Sequence, residues 1–197
     1  MNRLSLEQEL WNKGYRFICG VDEAGRGPLC GPVIAGAFII PVEYPDWILK
    51  ADDSKKLTEK KRLELYQRII SENAVHWATG EASAAEIDKI NIYQATRLAM
   101  TRAIEKLPIT PDYLLLDAML LPSLSIPQKS VIHGDALSIA IGCASILAKV
   151  TRDQVMTELD KEFPAYLWAK NKGYGTRDHL LAIEKHGPTP HHRMTFA

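Results

Sequence analysis

Residues 15–42 read YRFICGVDEAGRGPLCGPVIAGAFIIPV, two apolar runs on either side of an acidic and glycine-rich segment. The first run, residues 15–21, is rich in aromatic and β-branched side chains, which is typical of a strand. The segment between the runs, residues 22–28, carries the glycine and proline that mark a turn or loop. The second run, residues 33–42, is close enough along the chain to pair with the first. The stretch therefore predicts an antiparallel β-hairpin.

The remaining segments alternate between strand and helix patterns. They are strands at residues 75–82, 113–116 and 129–132, and helices after Thr58 and at residues 91–107, 136–162 and 176–186. The run at 113–116 is continuously apolar, which is typical of a strand buried on both faces. This order predicts an α/β fold, a single domain over residues 1–197 with a mixed sheet and a small C-terminal helical extension from about residue 163.

Two helix starts carry cap signals. Ser83 and Glu86 have the spacing of a capping box, in which each side chain bonds the backbone of the other residue. Thr58 is placed to cap the helix that follows it. The inner face of that helix is expected to consist of three apolar residues, Leu63, Tyr66 and Ile70.

Composition is that of a globular protein. The 197 residues are 46% hydrophobic, with 24 basic and 24 acidic side chains, so the chain is neither disordered nor strongly charged overall. No run approaches the roughly 18 apolar residues of a membrane span, and the N-terminus lacks the apolar segment of a secretory signal. Three widely spaced cysteines favour neither a disulfide framework nor a metal-ligand pair. We therefore expect a cytoplasmic protein with no membrane partner.

Acidic residues follow the predicted strands. Asp22 and Glu23 end the first strand, Asp117 ends the strand at 113–116, and Asp135 precedes the longest predicted helix. If the first and fourth strands are neighbours, Asp22 and Asp117 face each other at one edge of the sheet. Clustered carboxylates repel one another unless a cation lies among them, and oxygen ligands favour Mg²⁺ or Mn²⁺ over Zn²⁺. The alternative is that each acid is a helix cap or a solvated loop residue, as Asp135 could be.

The triplet Gly25-Arg26-Gly27 directly follows the first acidic pair. Two glycines around a basic residue allow the backbone to approach a ligand closely and to donate amide hydrogen bonds to a hydroxyl or phosphate. Alone, such a triplet indicates only a tight turn. Next to Asp22 and Glu23, it predicts a ligand-binding backbone beside the proposed metal site.

These motifs resemble the signature of the type 2 ribonuclease H family, specifically ribonuclease HII. The similar segments run in order along most of the chain, at residues 20–29 (GVDEAGRGPL), 53–57 (DSKKL), 116–118 (LDA), 134–135 (GD), 144–153 (ASILAKVTRD), 173–176 (GYGT) and 192–193 (HR). The resemblance implies a ribonuclease H-like fold with a five-stranded sheet. It also implies endonucleolytic cleavage of RNA paired to DNA, including single ribonucleotides in duplex DNA.

The resemblance also implies roles for individual residues. Asp22, Glu23, Asp117 and Asp135 would bind the metal ions. The backbone of Gly25, Arg26 and Gly27 would contact the ribose 2′-hydroxyl, and Tyr174 would touch that hydroxyl and stack on the adjoining sugar. Four residues, Ser54, Lys55, Ser145 and Lys149, would hold backbone phosphates.

Several of these residues could instead have a purely structural role or lie in solvent. Tyr174 could be a surface aromatic in a Gly-Tyr-Gly turn, and the lysines after Lys55 could be a solvated helix start. Asp153 could form an ion pair with Lys149 four residues earlier. The tail around His192 is expected to be structural, with Arg193 as a DNA contact.

The sequence thus predicts an endonuclease that uses two divalent ions, Mn²⁺ or Mg²⁺, and acts as a monomer on RNA/DNA hybrids and ribonucleotide-containing duplex DNA. One rival is a DNA exonuclease or resolvase of the same superfamily with the same acids. The other is a hybrid-binding module in which the metals only stabilise structure.

Overall fold

The predicted hairpin forms the centre of a five-stranded sheet. The computed structural model describes residues 2–51 and 57–196. Strand β1, Ile18–Ala24, pairs antiparallel with β2, Val33–Ile40, in a register that runs from Ile18 opposite Ile40 to Ala24 opposite Ile34. The strand begins three residues later than the predicted start at Tyr15, and it continues through both acidic residues rather than ending before them.

Three further strands complete the sheet. They are β3, His76–Ala82, β4, Tyr113–Asp117, and β5, Gln128–Val131. The order across the sheet is β3-β2-β1-β4-β5, with β4 parallel to both β1 and β5 and the other pairs antiparallel. The prediction of a mixed sheet in an α/β fold is therefore confirmed.

Seven α-helices surround this sheet in the described part of the chain. They are α1 Ser5–Asn12, α2 Glu59–Ser71, α3 Ala84–Glu105, α4 Gly134–Leu137, α5 Ile139–Glu162, α6 Trp168–Asn171 and α7 Arg177–His186. Short 3₁₀ turns lie at Asp46–Lys50, Pro164–Tyr166 and Met194–Phe196. The capping box is present, with Ser83 Oγ accepting from the Glu86 amide and Glu86 Oε2 accepting from the Ser83 amide.

The helix predicted to begin at Asn91 is the second half of α3. Asn91 has a left-handed φ of 66° and its side chain accepts a hydrogen bond from the Gln94 amide at 3.1 Å. This is the geometry of a helix cap, so Asn91 opens a new helical segment although the chain enters it from an earlier one.

Two helix predictions are corrected by tertiary packing. The inner face of α2 is Leu65, Tyr66 and Ile69, whereas Leu63 is 41% exposed. The helix predicted at 136–162 is two helices, because the backbone at Ser138 is extended and its side chain caps α5. Helix α1 has no counterpart in the sequence prediction.

The two faces of the sheet are covered by different helices. Residues that alternate along β1 fall into two separate apolar clusters, Ile18 with α1, α2 and α5 on one face and Cys19 with α3 on the other. Strand β4 contributes to both clusters, which confirms that it is buried on both faces. Helices α6 and α7 contribute to a third, smaller cluster that includes Cys30 and Met156.

Glycines let α5 lie directly on the sheet. A Cβ atom added at Gly20 would come 2.1 Å from the Ala140 carbonyl carbon, and one at Gly36 would come 2.2 Å from the Ala144 carbonyl oxygen. A side chain at either of these two positions would push α5 away. The absence of a side chain at Gly20 and Gly36 therefore allows α5 to approach β1 and β2 closely.

Cys19, Cys30 and Cys143 are free and buried. In the ranges 2–51 and 57–196, no helix has the length and apolar character needed to cross a bilayer.

We expect Gly36→Ala to lower the free energy of unfolding by about 3 kcal/mol, because overpacking at a backbone contact costs up to this amount. Denaturant unfolding measures the loss. Gly27→Ala is the matched control, since a Cβ there would meet only the Tyr174 ring at an ordinary 3.8 Å. Equal stability of the two variants would contradict the close packing of α5 on the sheet.

Candidate active site

Two acids meet at the carboxyl ends of β1 and β4. These strands are parallel neighbours with Val21 opposite Leu116, so the next residue on each strand, Asp22 and Asp117, lies at the same edge. The predicted proximity of these two strands is confirmed. Glu23 follows on β1, and its amide donates to Asp22 Oδ1 at 2.7 Å.

Asp135 is brought to the same edge through a hydrogen bond between backbone and side chain. The Gly134 amide donates to Asp117 Oδ1 at 2.7 Å, which ties the turn after β5 to the end of β4. His133 has a left-handed φ of 56° and occupies the N-cap position of α4. Asp135 is therefore a buried residue inside α4 and is not its cap.

The carboxyl group of Asp22 lies in an unfavourable environment for a negative charge. It is only 5% exposed, and burial raises its pKa well above the usual value. The negative charges of Glu23 and Asp117 raise this pKa further, against the lowering effect of hydrogen bonds from the Ser145 hydroxyl and the Glu23 amide. The acids at this edge are thus close enough to perturb one another.

A cavity of about 330 Å³ opens beside these acids. Glu23, Ser145, Lys149 and Tyr174 line it together with the backbone of residues 25–27. The structure therefore brings together most of the residues that the resemblance assigns to substrate binding. Ser54 and Lys55, assigned to the same set, lie outside the described residues.

The glycine triplet is shaped by Arg193. Its guanidinium donates to the Gly25 carbonyl at 2.6 Å, to the Arg26 carbonyl at 3.0 Å and to the Gly31 carbonyl at 2.9 and 3.0 Å. The residue is 2% exposed, so the expectation that Arg193 contacts DNA is wrong. It is a buried support for the loop, as the structural interpretation of the tail implies.

Arg152 holds the other end of the same loop. Its guanidinium donates to the carbonyls of Cys30, Pro32 and Lys172 at 2.9–3.1 Å. Gly25 has a φ of +96°, and a Cβ there would come 2.0 Å from Arg152 Nε. Sequence reasoning missed both arginines as loop supports, because a basic residue near the C-terminus or on a helix gives no local sign that it is buried.

Tyr174 lines the cavity next to the glycine triplet. Its side chain is 50% exposed, and its ring is the nearest neighbour of a Cβ added at Gly27. Its backbone is fixed, because its amide donates to the Asn171 carbonyl at 3.0 Å and its carbonyl accepts from His179 Nδ1 at 2.9 Å. The residue is thus a surface aromatic with a defined place in the cavity.

The charged side chains of the cavity have acidic neighbours. Lys149 Nζ lies 2.7 Å from Asp153 Oδ1, which confirms that Asp153 forms an ion pair within the helix. Arg26 Nη1 lies 3.5 Å from Glu23 Oε1. Both pairs are partly exposed, so each is a weak interaction.

A second group of ligand-type atoms lies behind the cavity. Cys30, His179 and His192 are buried, and one ligand atom from each lies within 4.8 Å of the others. The ring nitrogens already have partners, since Trp168 Nε1 donates to His179 Nε2 at 3.0 Å and the Thr189 amide donates to His192 Nδ1 at 2.8 Å. Burial lowers the pKa of His192 to about 4, so this ring is neutral at physiological pH. The group is a hydrogen-bonded core, in agreement with the expectation for the tail.

Comparison with known proteins agrees with this geometry. The family model described as Ribonuclease HII matches residues 19–197. Curated relatives named Ribonuclease HII are 57% identical over 191 residues in Desulfitobacterium hafniense (strain DSM 10664 / DCB-2) and 52% identical over 197 residues in Bacillus subtilis (strain 168). These alignments cover 97% and 100% of this chain, and 72% and 76% of the relatives.

Solved structures show the same fold. The crystal structure of the ribonuclease H2 from Pyrococcus horikoshii OT3 has a TM-score of 0.74 at 24% identity, covering 90% of this chain and 92% of that one. The prediction of a ribonuclease H-like fold is therefore confirmed. With a family model that covers nearly the whole chain and relatives above 50% identity, the chain belongs to the ribonuclease HII family of ribonucleases H, which are endonucleases of the hydrolase class.

Proposed function

We propose that this chain hydrolyses the RNA strand of RNA/DNA hybrids and incises duplex DNA at single embedded ribonucleotides, with two divalent ions at the carboxylate cluster. The observation that carries the proposal is the meeting of Asp22 and Asp117 at one sheet edge, next to the cavity walled by the glycine triplet. Membership of the ribonuclease HII family supports it.

The acids fit divalent metal ions. Asp22 is buried beside Glu23 and Asp117, and its pKa is raised first by burial and then by these two negative charges. A divalent cation is the partner that such a cluster favours, and carboxylate oxygens suit Mg²⁺ and Mn²⁺ equally. Asp135, one residue beyond the amide that bonds Asp117, is the fourth proposed ligand. When bound, a pair of such ions supplies activation of a water nucleophile and charge stabilisation of the leaving oxygen.

The cavity supplies the recognition of ribose. The 2′-hydroxyl is the group that distinguishes RNA from DNA, and it both donates and accepts hydrogen bonds. The backbone of residues 25–27 borders the cavity and is held by the buried Arg193, so its polar groups keep one orientation. Tyr174, which lines the same cavity, offers a ring to stack against the adjoining sugar.

The same cavity offers contacts for the phosphate backbone. Lys149 and Ser145 lie one helical turn apart on α5 and both line the cavity. Ser54 and Lys55 complete the proposed phosphate contacts. Cleavage would leave a 3′-hydroxyl on the upstream fragment and a 5′-phosphate on the downstream one, with the chain's residues acting through positioning and charge neutralisation.

We expect Asp117→Asn to reduce cleavage by more than about 100-fold, because it removes a proposed metal ligand and even residues that merely support ligands are worth 10- to 100-fold. The amide oxygen can still accept from the Gly134 amide, so the fold and duplex binding should persist. A cleavage time course and a gel-shift titration measure the two effects. Asp178→Asn, an exposed acid of α7, is the control. Wild-type turnover by Asp117→Asn would remove this residue from the ligand set.

We expect the wild-type protein to cut an RNA/DNA hybrid and a DNA duplex with one ribonucleotide at least about 10⁴-fold faster than an all-DNA duplex. A site built to bond a hydroxyl discriminates by this factor against a substrate that lacks it. The measurement is a denaturing gel with Mg²⁺ or Mn²⁺, repeated with a chelator that should stop the reaction.

The same experiment separates the rival functions. Equal cutting of the all-DNA duplex would indicate a DNA nuclease of the same superfamily. Retention of the hybrid in a gel shift without any strand break would indicate a binding module.

We expect Asp22→Asn to stabilise the metal-free protein increasingly as the pH rises. The pKa of Asp22 is raised in the folded protein, so folding favours the protonated carboxyl group. The contribution of Asp22 to the free energy of unfolding is therefore complete below about pH 4, the unfolded value, and is lost as the pH rises through the folded pKa. Each unit of pKa difference is worth about 1.4 kcal/mol. Urea unfolding with a chelator from pH 5 to 8 measures the difference between the variant and the wild type. A constant difference in the free energy of unfolding across this range would contradict a raised pKa of Asp22 in the folded protein.

A further inference from the structure

The N-terminal segment contacts the turn that carries Asp135. Helix α1 precedes residue 19, where the match to the family model begins. Two side chains of this segment reach the junction between α4 and α5. They are Arg3, which precedes α1, and Glu7, which lies in α1. The proposed function gives neither residue a role.

Arg3 binds the carbonyl groups of the junction. Its Nη2 donates to the Asp135 carbonyl at 2.7 Å and reaches the Ser138 carbonyl at 3.5 Å, while Nε donates to the Ala136 carbonyl at 3.0 Å. Nη1 donates to the carbonyl of Ala51, so the same guanidinium joins the junction to the residue that follows the 3₁₀ turn Asp46–Lys50. Arg is suited to this task because its planar group presents donors in several fixed directions.

Glu7 binds the donors of the same junction. It is completely buried, and its Oε1 accepts from the Ser138 hydroxyl at 2.6 Å and from the Ala140 amide at 3.0 Å. The Ala140 amide belongs to the first turn of α5, where amides have no partner within the helix, so Glu7 supplies the acceptor that this amide needs. Arg3 thus bonds backbone carbonyls, and Glu7 bonds a hydroxyl and an amide, at the junction between α4 and α5.

The junction needs this support because α4 is only four residues long. A single turn has one or two internal hydrogen bonds and does not hold its own geometry. Arg3 also packs closely on α5, since a Cβ at Gly142 would come 2.8 Å from Arg3 Nη2. The hydrogen bond from the Gly134 amide to Asp117 fixes the start of this short helix, and the contacts of Arg3 and Glu7 fix its far end.

We propose that Arg3, with Glu7, is a positioning residue that holds the backbone of Asp135 in the geometry needed for metal binding. The inference rests on the proposed function, in which Asp135 is a metal ligand. It predicts that loss of the Arg3 side chain weakens the metal site without any change in the ligands themselves.

Arg3→Ala is the first test. We expect the Mn²⁺ dissociation constant, measured by calorimetry without substrate, to rise by about 10-fold or more, and kcat on a hybrid to fall by a similar factor with KM little changed. Hydrogen exchange at the amides of Ala136 and Ser138, which bond within the junction, should be faster in the metal-free variant. Arg3→Lys keeps a single donor group and should lie between Arg3→Ala and the wild type.

Arg102→Ala is the matched control. Arg102 also bonds a backbone carbonyl, that of Glu81, and pairs with Glu86, but it lies on the helix that covers the other face of the sheet. Its loss should lower the melting temperature and leave Mn²⁺ binding and exchange at the junction unchanged.

Two outcomes would overturn the inference. One is Arg3→Ala with wild-type Mn²⁺ affinity and wild-type exchange at the junction. The other is a lower melting temperature with no change in metal binding, which would make Arg3 a purely structural residue. Failure of the proposed function is distinguishable, because then the wild-type protein itself would neither bind Mn²⁺ nor cut the hybrid.

Discussion

The parallel pairing of β1 with β4 is the constraint on which the rest of the structure depends. It brings Asp22 and Asp117 to one edge of the sheet, where burial and mutual repulsion disfavour two negative charges. A fold tolerates such an arrangement when something else binds there, since structural stability alone favours apolar or paired residues. In the proposed function, the repulsion between carboxylates at the sheet edge and the open cavity beside it belong to one binding site.

Arginines that are buried or half-buried support the loops and turns around this edge. Arg193 and Arg152 bond the carbonyls of the loop between β1 and β2, and Arg3 bonds those of the turn that holds Asp135. Irregular backbone near a site has carbonyls without partners in a helix or sheet, and each needs a donor when buried. A guanidinium provides several donors at once and loses less side-chain entropy for each hydrogen bond. It can therefore fix a loop that has too few hydrogen bonds of its own. Rigid recognition of a hydroxyl depends on such fixing.

Much of the fold was predictable because its signals are local. The capping box at Ser83 and the helix start at Asn91 each depend on residues within a few positions of one another, and the hairpin pairs two runs that follow each other along the chain. The corrections fall where distant residues decide. The inner face of α2 depends on where the sheet lies, and the Ser138 hydroxyl at the helix break donates to Glu7, 131 residues earlier in the chain.

The sequence by itself determined the acids, the glycine triplet and the family they resemble, since residue identity sets the available chemistry. It could not show that Arg193 faces the interior rather than a nucleic acid, because burial of a charged side chain depends on which carbonyls the folded chain gathers around it. Nor could it show that the first residues reach the Asp135 turn. Only tertiary structure decided these points, because they are contacts between segments more than 100 residues apart, and no local pattern records such a contact.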